Sequence, residues 1–205
     1  MDWASIEWTR WLFNFAFFYP IVMAFFWMTG GVYYYLRRER GAPRPDAPPP
    51  LARTPFVSVL VPCFNEEAHI AATITALSAQ AYPDFEIIAI DDGSNDRTPE
   101  LLDALVADHP RLRVVHLAQN QGKANALRMG TLAATSDLLV CVDSDATLDP
   151  HAVRWMVGHL IDGPRVGAVT GNPRIRNRTT LMGRMQIGEF SAIIGLIKRA
   201  QRTYG

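Results

Sequence analysis

The chain has 205 residues, 49% of them hydrophobic, and balances 20 basic against 20 acidic side chains. That length supports one well-packed main domain, and a formal charge of zero leaves no global field for nucleic acid. The two cysteines, Cys63 and Cys141, have no metal or redox spacing and read as buried free thiols, not a disulfide or zinc framework.

The first 40 residues differ in kind from the rest. No charged residue lies between Arg10 and Arg37, and residues 11–36 are mostly aromatic and aliphatic. A hydrocarbon core of about 30 Å needs about 20 apolar residues in a helix, so the stretch is long enough to span a membrane. Trp8 and Trp11 at one end, and Tyr33, Tyr34 and Tyr35 at the other, have the placement of interfacial aromatic belts. The apolar run is too long for a cleaved signal peptide and too apolar all round for an ordinary core helix. Arg37, Arg38 and Arg40 follow at once, which places the downstream domain in the cytoplasm and Met1 outside. Residues 41–54 are a proline-rich linker, expected neither to join a core nor to continue a helix. The globular region is expected over 55–205.

From residue 55 onward, strand patterns alternate with helical ones. Strands are predicted over 56–61, 85–90, 112–117, 138–142 (a buried strand) and 166–170. Helices are predicted over 66–80, 98–108 and 123–134. A further helix, with Asp149 and Pro150 as N-cap and first-turn proline, reaches residue 160. This alternation implies a Rossmann-like α/β fold, a mainly parallel sheet with helices on both faces. The first strand is followed by Pro-Cys-Phe-Asn-Glu-Glu, with no Gly-x-Gly-x-x-Gly, which excludes the usual dinucleotide-binding turn. Gly122-Lys123 lacks the rest of a phosphate-binding P-loop, and the five histidines form no ligand pair.

Polar groups instead collect at four strand ends. They are Pro62 to Glu67, Asp91 to Thr98, Asn120 to Leu127, and Asp143-Ser144-Asp145. Each one alone reads as a turn or helix cap; Asn95 and Asp96 are expected to cap the next helix. Together they fall along the carboxyl edge of the sheet, where open α/β folds bind ligands. On an extended backbone Asp143 and Asp145 point the same way, and two hard carboxylates suit Mg²⁺ or Mn²⁺.

With these motifs the chain resembles glycosyltransferase family 2, the inverting enzymes of GT-A fold that use nucleotide sugars. The stretch Val169-Thr-Gly-Asn-Pro-Arg-Ile-Arg-Asn-Arg178, with Gln186-Ile-Gly-Glu-Phe190 and Ile194 to Arg202, is similar to the bacterial synthases of poly-β-1,6-N-acetylglucosamine. The resemblance implies a processive enzyme of the bacterial inner membrane. It would transfer N-acetylglucosamine from UDP-N-acetylglucosamine to a growing biofilm polysaccharide, with a small membrane subunit as a candidate partner. It also implies that Asp92 binds the uracil ring, that Pro62 and Asn65 frame the uridine, and that Lys123 lies near the phosphates. Asp143 would stand near ribose and metal, and Asp145 would ligate the metal. The family's general base, a carboxylate in a Thr-Glu-Asp type motif, is expected beyond Gly205, which makes this chain an incomplete GT-A domain, the donor-binding front half. Other family 2 synthases, of hyaluronan, chitin, cellulose or lipid-linked type, are the rival reading. A non-catalytic, membrane-tethered nucleotide-sugar-binding module is another. Residues 181–202 carry an apolar stripe (Ile187, Phe190, Ile194, Ile197) and a basic end (Lys198, Arg199, Arg202). That pattern suits a helix packed on the sheet or one lying on the inner leaflet of the bilayer, and both readings stand.

Overall fold

The computed structural model describes residues 3–163, 165–171 and 195–204. The chain divides into two compact units, Met1–Pro43 with Asn172–Gly205, and Arg44–Gly171.

In the first unit, α1 (Trp3–Tyr34) continues into a π-helical turn (Tyr35–Glu39), closed by Arg40 N–H on the Tyr35 carbonyl at 2.8 Å. Gly41, at φ +97°, ends it, a backbone angle that glycine takes without steric cost. The helix has no polar face, and Glu7–Glu39 is long and apolar enough to cross a membrane, with mean hydropathy 1.6. Pro20 lies inside it and leaves one turn without its donor. Only Gly30 and Gly31 are buried along its described surface. There α6 (Lys198–Tyr204) packs closely: a Cβ on Gly30 would stand 2.6 Å from the Tyr204 ring and 2.8 Å from Ala200 Cβ. Small residues let helix backbones approach in this way. Tyr204 also stacks on Phe26 with ring centroids 4.4 Å apart. The described end of the predicted 181–202 helix therefore rests on α1. Its first part lies outside the described residues, as do 172–178 and 186–190 of the sequence motifs.

The second unit is built on four parallel strands, β1 (Val57–Cys63), β2 (Phe85–Asp91), β3 (Leu112–His116) and β4 (Leu139–Cys141), in the order β3-β2-β1-β4. Four described helices of this unit, α2 (Ile70–Ser78), α3 (Thr98–Asp108), α4 (Lys123–Ala133) and α5 (Ala152–Asp162), cover the sheet. Alternation along the strands decides which helix covers which face. Val57, Val59, Val61, Ile87 and Ala89 share one core with Ile70, Ile74 and Leu77 of α2, Leu102 of α3, and Val153 and Val157 of α5. Leu60, Ile88 and Ile90 meet Ala126 of α4 on the other face. Both central strands are buried throughout, as parallel strands covered on two sides must be.

The structure corrects several expectations. Residues 166–170 form no strand; Val166 N–H closes a turn on the Gly163 carbonyl at 3.0 Å. Without a described strand beyond it, β4 is an edge, so Leu139 and Cys141 are exposed, and of the two cysteines only Cys63 is buried. Helix α2 begins at Ile70, not at residue 66; residues 66–69 form a turn in which the His69 and Ile70 N–H groups both bond the Glu66 carbonyl at 3.0 Å, and the Glu66 and Glu67 N–H groups bond the Thr98 and Asp96 side chains. The proline-rich segment is also not free of the fold. Trp155 donates to the Pro45 carbonyl at 2.9 Å, Arg154 to that of Pro49 at 3.2 Å, and Leu51 packs on the core.

Candidate nucleotide-sugar site

The strand order reverses at β1: β2 and β3 lie to one side of it and β4 to the other. Such a switch point opens a crevice beyond the strands' carboxyl ends. Pro62 helps to open this one. Even-numbered residues of β1 bond toward β4, with Ser58 N–H on Leu138 O at 3.0 Å and Leu60 O accepting from Val142 N–H at 2.9 Å. The next donor in that ladder would be residue 62, and proline has none. Pairing with β4 stops there, and the chain after Val142 is released into a turn. Pro62 is a buried strand residue in register with Ile90, so the reading of it as part of a loop is corrected.

The loops after β1 and β2 are laced together. Asn65 occupies the left-handed region at φ 55°, which asparagine tolerates better than most residues. Its N–H donates to Ser94 Oγ at 3.0 Å, and its Oδ1 accepts from Asn95 N–H at 2.8 Å. Glu66 N–H reaches Thr98 Oγ1 at 2.8 Å, Glu67 N–H reaches Asp96 Oδ2 at 3.1 Å, and Arg97 N–H returns to Glu67 Oε2 at 3.1 Å. Asp96 also accepts from Thr98 N–H at 3.0 Å, a local turn bond one residue ahead of the cap position, which Arg97 occupies; Asn95 is engaged through its backbone with Asn65, so neither residue is the N-cap expected of it.

The paired aspartates after β2 divide their work. Asp91 is buried, accepts from Ser94 N–H at 3.1 Å and contacts His116 Nδ1 at 3.2 Å; His116 Nε2 meets Asp103 at 3.0 Å. Burial pushes the His116 pKa down, but hydrogen bonds and charge from the two carboxylates outweigh it and hold the imidazolium above its ordinary range. Asp92, 3% exposed, accepts from Gln121 N–H at 3.0 Å and Gly122 N–H at 2.8 Å, one on each oxygen. Gly93 permits this approach: at φ +69°, a Cβ there would lie 2.6 Å from the Gln119 carbonyl carbon. Asp92 therefore clamps the loop that leads into Lys123. Each carboxylate oxygen has two acceptor sites, so both retain capacity for a ligand donor.

Lys123, the first residue of α4, forms an ion pair with Asp143 Oδ1 across the crevice; both side chains are about 62% exposed. Residues 143–146 form a turn, with Ala146 N–H on the Asp143 carbonyl at 3.0 Å. The extended-strand argument for Asp143 and Asp145 therefore does not apply. The turn is instead fixed from below, where the Thr73 hydroxyl of α2 donates to the Ser144 carbonyl at 2.7 Å, and Asp145 is left exposed. Among the described residues no group of three or more His, Cys, Asp or Glu side chains is arranged to hold a metal. Two carboxylates on one turn do fit a divalent ion that keeps most of its sites for water and phosphate. Cys63 offers no nucleophile: burial, then the charges of Asp91 and Glu66, push its thiol up to about 12. Sequence reasoning missed Asp91, His116 and Thr73 as supports of the site. The doubled aspartate at residues 91–92 was the one signal available, and it did not say which of the two faces inward.

The sequence pattern of glycosyl transferase family 2 matches residues 58–204. The chain belongs to glycosyltransferase family 2. This family 2 chain is 37% identical over 195 residues to the poly-beta-1,6-N-acetyl-D-glucosamine synthase of Staphylococcus epidermidis, covering 95% of the chain and 47% of that protein. It is 38% identical over 196 residues to the synthase of the same name from Staphylococcus aureus strain COL, covering 94% and 47%. The chain thus spans about half the length of the curated relatives it matches. Among solved structures, it is similar to a mannosyltransferase from Pyrobaculum calidifontis in complex with GDP-Man and Mn²⁺. The TM-score is 0.58 and the identity 30%, over 77% of this chain and 47% of that one. The fold is GT-A-like, with one long apolar helix before it.

Proposed function

We propose that this chain forms the donor-binding part of a membrane-anchored family 2 synthase. The synthase passes N-acetylglucosamine from UDP-N-acetylglucosamine to a growing poly-β-1,6-N-acetylglucosamine chain. The observation that carries the reading is the Lys123–Asp143 pair facing the crevice beside the loop that Asp92 clamps. A departing nucleoside diphosphate gains negative charge as the sugar–phosphate bond breaks, and a cation fixed beside it stabilises that charge. Lys123 is such a cation. An exposed pair of this kind contributes roughly 0–1 kcal/mol, so exchanging Asp143 for phosphate oxygens costs Lys123 little.

Asp143 and Asp145 are the residues to hold Mg²⁺ or Mn²⁺, which when bound polarises and neutralises the diphosphate. Asp92 offers its remaining acceptor sites to a uracil N–H, and Asn65 fixes the loop beside the uridine. The mannosyltransferase relative, with Mn²⁺ and a nucleoside-diphosphate sugar in its crystal, supports a metal-dependent donor site of this kind. The synthase relatives support the choice of sugar and polymer acceptor. The proposed domain plan keeps an N-terminal membrane span, the proline-rich linker and a nucleotide-sugar-binding region, with the bilayer as a further partner.

The test is UDP binding by Asp145→Ala in buffers containing Mg²⁺, Mn²⁺ or EDTA. Affinity is expected to fall in either metal buffer and to match the unsubstituted chain in EDTA. Equal affinity of the two proteins in every buffer overturns the assignment.

A further inference from the structure

The first unit carries a polar cavity that the donor chemistry does not use. It has a volume of about 440 Å³ and is lined by Tyr33, Tyr34, Arg37, Arg38, Arg202 and Thr203. Three arginines thus line one space. Among the described residues none of the three pairs with a carboxylate, and Glu39 is taken by Arg199 at 2.7 Å. Aromatic rings orient two of them. Arg37 lies 5.9 Å from the Tyr33 ring centroid and donates to the Tyr33 hydroxyl at 3.4 Å, and Arg202 lies 5.8 Å from the Tyr34 ring. The π-helical turn Tyr35–Glu39 widens the helix where Arg37 and Arg38 leave it, and such turns are frequent at functional sites. The glycine-mediated packing of α6 on α1 brings Arg202 to the same place.

Uncompensated like charges in one cavity repel one another and call for an anion. Guanidinium forks match a phosphate in shape as well as charge. The cavity also stands at a defined depth, at the end of the apolar helix and level with its tyrosine belt, where lipid phosphates lie. We propose that it binds the phosphate of an anionic membrane lipid, independently of the donor site.

The full chain in detergent micelles, titrated with phosphatidylglycerol or phosphatidylcholine and followed by native mass spectrometry, tests this. One phosphatidylglycerol should be retained in preference to phosphatidylcholine. Arg38→Gln and Arg202→Gln should each weaken that retention about five-fold. Arg40→Gln removes the same charge close by but from outside the cavity, and should leave retention unchanged. If a glutamine variant loses helicity, Arg202→Lys replaces it: the charge stays, the fork is lost, and retention should still fall. Equal losses for Arg40→Gln and Arg202→Gln would reduce the effect to a diffuse field and overturn the proposal. So would equal retention of the two lipids. Displacement of the lipid by millimolar inorganic phosphate would assign the cavity to a soluble anion and overturn the lipid assignment.

Discussion

Glu86 is a carboxylate inside a strand whose seven residues are all buried, and its partners explain how it is tolerated. Its Oε1 accepts from the Ser58 hydroxyl at 2.7 Å and from the Thr135 N–H and hydroxyl at 2.9 and 2.6 Å, and its Oε2 pairs with Arg113 at 2.7 Å. Burial would raise its pKa, but these bonds reverse the sign and bring it from 4.5 to about 2. A depressed carboxylate stabilises the fold fully above its unfolded pKa and loses that contribution as pH falls through the folded value. About 3 kcal/mol should therefore disappear between pH 4.5 and 2, seen as falling urea midpoints, and Glu86→Gln should remove that acid limb. His116 works with the opposite sign: its contribution is complete below its ordinary pKa and fades as pH rises through the raised one. Asp92 belongs to the site itself. Asp92→Ala leaves the Gln121 N–H without its acceptor, while Gly122 N–H keeps Asn120 Oδ1 at 3.0 Å, at a cost of about 1–3 kcal/mol in the same titration. If Asp92 also receives the uracil N–H, the variant's preference for UDP over CDP should shrink in calorimetry. An intact preference would move the base contact elsewhere.

Helix α4 approaches the sheet through Gly130, which faces fully buried Ile90 and Leu60. A Cβ there would stand 2.7 Å from Ile90 Cδ1, and the surrounding core leaves little room for the side chain to yield. Gly130→Leu should therefore cost about 1–3 kcal/mol or more, despite leucine's better helix propensity. Because α4 begins at Lys123, the displacement should also weaken UDP binding, though no substituted atom is near the crevice. A variant as stable as the parent, with unchanged UDP affinity, would contradict this account of the packing. Sequence signals located α3 over the same residues, 98–108, because its helical pattern is a local property of the chain. They failed for the start of α2, where the turn before it bonds to Thr98 and Asp96, some 30 residues away.

At the scale of the whole molecule, the charge pattern around α1 predicts a direction across the bilayer. Arg37, Arg38 and Arg40 follow the span, and the positive-inside rule puts them in the cytoplasm. In intact spheroplasts, external protease should remove an N-terminal tag and spare residues 44–171; digestion of 44–171 from outside would reverse the orientation. The apolar span, the alternation of strands and helices and the four polar strand ends were legible from the amino-acid order alone. Each is a local property, carried by hydrophobic period, charge placement and turn residues within a few positions of one another. Exposure was not legible. β4 looks buried by composition, yet it is an edge because the described chain beyond it forms no strand. The roles of the two adjacent aspartates were hidden for the same reason. Asp91 faces His116 and Asp92 faces Gln121 and Gly122 only once β2 and β3 lie side by side. Tertiary structure alone joined Lys123 to Asp143 and made Pro62 the end of a ladder, because both depend on neighbours that the chain supplies from far along its length.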